Sequence, residues 1–152
     1  MRDGPNYARI ENTLILRRIY DAPVARVWRA WTDPKEFGRW YVAGADHIVH
    51  FCEADIRVGG GYRIGFGPPG KTPYVETGHY TEIVPMRRLC FGEMVTHMDD
   101  PLGGSECRVE LRDLGDGRTE LVLTTTGASV WRSGEGWEPC LENLAAFLEK
   151  SS

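Results

Sequence analysis

The chain predicts an α+β fold: a curved antiparallel β-sheet wrapped around a long C-terminal helix, with two short helices after the first strand. Three observations carry this. Residues 22–40 repeat apolar side chains at helical spacing. Residues 136–149 carry one apolar helical stripe. Most of what lies between them alternates with a period of two. A helix with one apolar face that follows only strands needs a sheet to cover. A sheet bent around such a helix leaves a hollow, and the hollow is where function is expected.

The elements follow in order. Residues 1–12 read as a tail, and residues 13–150 as a single domain without internal repeats. Residues 13–20, T-L-I-L-R-R-I-Y, are rich in β-branched side chains and form the first strand. Pro23 suits the first turn of a helix, where its missing N–H costs nothing. Val24, Val27, Trp28 and Trp31 give that helix one apolar face. Thr32 or Asp33 caps a second helix, Pro34 takes its first turn, and Phe37, Trp40 and Tyr41 form its apolar side. Strands are then expected at 51–58, 62–66, 74–84, 89–97, 106–114 and 119–126, separated by turns rich in Gly, Pro and Asp. The last helix places Trp137, Leu141, Leu144 and Leu148 at spacings of 4, 3 and 4. Pro139 sits inside that stripe, so the regular helix is expected to start or kink near Gly136.

Composition narrows the function classes. The chain has 152 residues, 41% of them hydrophobic and 26% charged, which suits one globular domain with a real core. A net charge of −4, with Arg17-Arg18 and Arg87-Arg88 as the densest basic pairs, argues against nucleic acid. No apolar run approaches the ~20 residues of a membrane span, and the N-terminus lacks the apolar core of an export signal. A cytoplasmic location is expected, with Cys52, Cys90, Cys107 and Cys140 as reduced, buried thiols.

Four groups of residues, in order along the chain, resemble one family. They are Ala22-Pro23, Val27-Trp28, Ala30, Thr32-Asp33-Pro34 and Arg39-Trp40; then Asp55, Arg57, Gly59 and Gly60; then Gly78, Tyr80, Glu82, Ile83, Pro85 and Arg88-Leu89; then Gly136-Trp137, Leu141, Leu144 and Leu148. Together they are similar to the Hsp90-ATPase-activator homologue (AHSA1-like) family of the SRPBCC/START/Bet v 1-like superfamily. The resemblance implies the helix-grip fold. It leaves activity open, because that superfamily includes lipid carriers, receptors, cyclases and co-chaperones. Pro139 departs from the family's closing helix. The eukaryotic activators also carry an N-terminal domain that residues 1–12 do not supply.

Several constellations carry two readings. Asp55 and Arg57, two apart on an expected strand, read either as a polar anchor facing a ligand or as an ion pair beside the glycine turn. Glu93, between Phe91 and Val95, reads either as a carboxylate in the hollow or as an outward residue. His79 and His97 are single histidines, each able to line the hollow as acid or base. His47, His50 and Cys52 have no established metal spacing. No metal and no cofactor is expected, and no G-x-S-x-G supports a serine nucleophile.

The leading expectation is a non-enzymatic protein that binds a small apolar or amphipathic molecule between sheet and C-terminal helix, in a stress-response setting implied by the resemblance. The lining expected for it is Trp40, Phe51, Arg57, Tyr62, Ile64, His79, Phe91, Glu93, Val95, Val109, Leu123, Trp131, Trp137, Leu141 and Leu144. Burying ~300 Å² of apolar ligand is worth about 7.5 kcal/mol before association costs of about 4 kcal/mol or more. A polar anchor is therefore needed, with Arg57, His79 and Glu93 as the candidates. The alternatives are a module regulating an Hsp90-type chaperone, through the outer sheet face and residues 99–104, and a cyclase- or hydrolase-type enzyme using the same hollow. Monomer and homodimer both remain open.

Overall fold

A computed structural model describes residues 7–10, 13–41, 47–96, 105–127 and 130–150 of the chain, with side chains described for 13–41, 47–92, 106–127 and 137–150. The strands are β1 (Tyr7–Ile10), β2 (Thr13–Tyr20), β3 (Ile48–Ala54), β4 (Gly61–Gly67), β5 (Tyr74–Val84), β6 (Arg88–Thr96), β7 (Ser105–Gly115) and β8 (Arg118–Gly127). The helices are α1 (Val24–Thr32), α2 (Pro34–Trp40) and α3 (Val130–Lys150). All strands pair antiparallel in one sheet of order β1-β2-β8-β7-β6-β5-β4-β3. Tyr7–Ile10 thus pair with β2 inside the segment expected as a tail.

Local chemistry sets the helix boundaries. Pro23 precedes α1, and the Asp33 side chain accepts from Lys35 N at 2.9 Å, capping α2 ahead of Pro34. Tertiary bonds then tie the helices down. Thr119 Oγ1 donates to Ala22 O at 2.7 Å, and Trp40 Nε1 donates to Ala30 O at 2.9 Å.

Three cross-strand pairs help shape the sheet. Phe51 lies opposite Gly65, Tyr62 opposite Gly78, and His79 opposite Gly92. A Cβ at each glycine would meet the partner ring at 2.4, 2.0 and 2.4 Å respectively. The rings therefore lie on the bare glycine backbone, covering what the missing side chains leave open. Gly78→Ala is expected to destabilise by about 1–3 kcal/mol, since the Tyr62 ring has no room to retreat. Chemical denaturation checks it.

α3 begins at Val130, ahead of the start expected near Gly136, and runs through Pro139. Proline inside a helix costs about 3 kcal/mol or more. Burial offsets that cost: Trp137, Leu141, Leu144 and Leu148 are all buried, each worth roughly 1.5–3 kcal/mol. Tyr20 Oη donates to Leu141 O at 3.0 Å, Asn143 Nδ2 to Trp40 O at 3.3 Å, and Arg18 reaches Glu142 at 3.5 Å and Glu138 at 3.8 Å. The sheet's inner face, α1, α2 and α3 together enclose one hydrophobic core.

Candidate functional site

Glu76 is a carboxylate enclosed by this core; Thr119, Glu120 and Thr125 are also buried. It stands on the inner face of β5, in register with Ile64 of β4, and is 7% exposed. Tyr62 Oη donates to Glu76 Oε2 at 2.5 Å, and Tyr41 Oη donates to the same oxygen at 2.8 Å. Both phenols thus converge as donors on one carboxylate oxygen.

Aromatic rings surround this triad. Phe37 stacks on Tyr41 at 4.2 Å and meets Tyr62 edge-on at 5.6 Å. Tyr62 also meets Phe91 at 5.7 Å and Tyr80 at 6.0 Å. Tyr41 meets Trp137 of α3 at 5.3 Å, and Trp137 stacks on Trp31 of α1 at 5.9 Å. The triad thus joins the sheet to both ends of the helical layer.

The structure divides the expected lining into three sets. Trp40, Tyr62, Ile64, Phe91, Val109, Leu123, Trp137, Leu141 and Leu144 come together as buried members of the core. Arg57, Phe51 and His79 do not join them. β3 ends at Ala54, so Arg57 lies in the turn, 72% exposed, pairing with Asp55 at 2.7 Å. The ion-pair reading of these two residues is the one realised. A bulge between Val49 and Phe51 shifts the pleat, and the Phe51 ring lies on Gly65 of the outer face, with Arg63 over it at 4.9 Å. His79 has the opposite parity to Glu76 and Tyr80, so it lies exposed on the outer face over Gly92. The side chains of Glu93, Val95 and Trp131 lie outside the described residues, as do His97 and residues 99–104.

Glu76 and Tyr41 escaped sequence reasoning. The available signal was parity: Glu76, Gly78 and Tyr80 share a face, and Gly78 lies opposite inward-facing Tyr62. Among the described residues no group of His, Cys, Asp or Glu could hold a metal ion.

A separate surface depression of about 580 Å³ is lined by Val24, Met86, Arg88, Leu111, Glu110 and Glu120, among others. Its carboxylates are already engaged. Arg88 and Arg108 reach Glu110, while Arg17 and Arg112 clamp Glu120 at 2.7 and 3.0 Å.

Buried protons add a pH signature. Burial pushes the Cys52 thiol up to about 11, helped by the Glu53 carboxylate. Burial also raises the phenols of Tyr80 and Tyr20. The unfolded chain releases these protons from about pH 9 while the fold retains them, so stability is expected to fall as pH rises past about 9. Below that pH the contribution is intact. Urea midpoints between pH 7 and 10.5 check the sign.

The curved sheet, the two short helices and the gripping α3 define the helix-grip fold. Residues 21–149 match the family model described as "Activator of Hsp90 ATPase homolog 1-like protein", and the chain belongs to that family. A crystal structure of a Chromobacterium violaceum protein is similar, at 28% identity and a TM-score of 0.77, covering 92% of this chain and 99% of that one. A Rhizobium loti protein shares 32% identity at a TM-score of 0.74, covering 90% and 96%. A Rhizobium leguminosarum protein shares 27% at a TM-score of 0.80, covering 91% and 95%. No curated protein matches the chain. No described helix is long and apolar enough to cross a membrane.

Proposed function

We propose that this chain binds a small, largely apolar molecule in its interior, between the inner sheet face and α3, through a hydrogen-bond-donating head group that reaches Glu76. The observation that carries this is a buried carboxylate held by two phenols within a shell of aromatic rings. Binding pockets are mostly apolar with a few placed polar groups, and this triad has that character. A carboxylate is a hydrogen-bond acceptor, so an amine, amide or hydroxyl is the head group that suits it. A carboxylic acid is the poorer match there, because in its ionised form it offers no donor.

The test holds the aromatic body constant and varies the head. 2-Naphthylmethylamine is expected to bind at least roughly tenfold more tightly than 2-naphthoic acid, and Glu76→Gln is expected to erase the preference. Equilibrium dialysis measures both. Native mass spectrometry of freshly purified protein would further support the reading by showing a co-purifying amine or alcohol. A protein that takes up neither probe and carries no molecule would end it.

A second reading follows from the family's description: regulation of an Hsp90-type chaperone. A stress-response setting belongs with it. Stimulation of such a chaperone's ATPase by the purified chain tests it, and unchanged ATPase with no pull-down would set it aside. The four free cysteines support a reducing, cytoplasmic compartment for either reading.

A further inference from the structure

Trp31 is 2% exposed, and its buried indole Nε1 has no hydrogen-bond acceptor. Its neighbours are satisfied: Trp40 Nε1 donates to Ala30 O, and the hydroxyls of Tyr41 and Tyr62 donate to Glu76. Among the described residues this donor is left without an acceptor. A buried, unpaired N–H is costly and invites a functional explanation. Trp31 meets Trp40 edge-to-face at 4.7 Å, and a ring face is only a second-order acceptor. Through Trp137, which contacts both Trp31 and Tyr41, this donor belongs to the same ring cluster as the Glu76 triad.

We infer that the Trp31 indole N–H is a recognition donor for the bound molecule, so that the ligand carries a carbonyl- or ether-type oxygen in addition to the donor that Glu76 accepts. This rests on the interior binding reading and narrows it to bifunctional molecules. A purely hydrocarbon guest leaves the N–H unpaired, whereas one with a placed acceptor relieves it. The residue is then a specificity determinant whose cost the free protein carries.

Two probes of near-equal size decide it: 2-acetylnaphthalene, which has a carbonyl, and 2-ethylnaphthalene, which does not. The acetyl compound is expected to bind the wild-type protein roughly tenfold more tightly. Trp31→Phe keeps a ring in the stack and removes the N–H. It is expected to abolish the preference, to leave 2-ethylnaphthalene within about twofold, and to raise the ligand-free melting temperature, because an unpaired polar group is gone. A merely structural tryptophan would instead lower the melting temperature and leave the preference in place, which would overturn the inference. Equal binding of the two probes to the wild type would overturn it even if Trp31→Phe failed to fold. Equal binding of the two, or binding of neither while 2-naphthylmethylamine still binds, sinks only the role of Trp31; loss of 2-naphthylmethylamine binding as well would mean that the interior reading itself has failed.

Discussion

Glu76→Ala is expected to lower the unfolding free energy by roughly 2–5 kcal/mol, among the largest effects of any single substitution in this chain. The change strands the two phenols of Tyr41 and Tyr62 in a space where both residues are nearly solvent-free. Each buried donor without an acceptor costs about 1–3 kcal/mol. Glu76→Gln keeps an oxygen for the phenols and should lose less. Denaturant midpoints of the two variants, with slopes compared, measure the difference. A loss under about 1 kcal/mol for Glu76→Ala would mean that the phenols find other acceptors and that the triad is not the anchor described above.

Leu144→Ala should cost a comparable amount, about 2–5 kcal/mol. Leu144 is 0% exposed at the centre of the α3 stripe, flanked by Leu141 and Leu148. The loss combines the transfer energy of the removed carbons with the space they vacate. Lys150, on the exposed side at the end of the same helix, provides the control, and Lys150→Ala should change stability by less than about 0.5 kcal/mol. Thermal and urea unfolding of both variants checks this. A small loss at Leu144 would show that α3 is not held by its apolar face.

Much of the fold was legible because side-chain period reports backbone geometry directly. The stripe of α3, the Pro34 start of α2 and the alternation of β7 are all readable from spacing. Arg57 was misplaced because parity was extended past the true strand end. The chain leaves β3 at Ala54, Asp55 N donates to Gly61 O, and Gly60 N closes the turn onto Arg57 O. Phe51 was misplaced because one bulge exchanges faces, which spacing alone does not announce. His79 and Tyr80 have equal claim to face inward until a neighbouring strand fixes the register. The Glu76 triad was hidden for a different reason. Its partners lie 35 and 14 residues away, and only the folded sheet and α2 bring them together.

The covering helix follows in the chain every strand it seals, and β2 is closed by β8, with Thr13 partnered by Thr126. During synthesis the greasy side of the palm must therefore wait, uncovered, until more than a hundred further residues have left the ribosome. A nascent chain arrested before Trp137 would display Leu14, Leu16, Leu121 and Leu123 with nothing to cap them. Such fragments are expected to be sticky and short-lived.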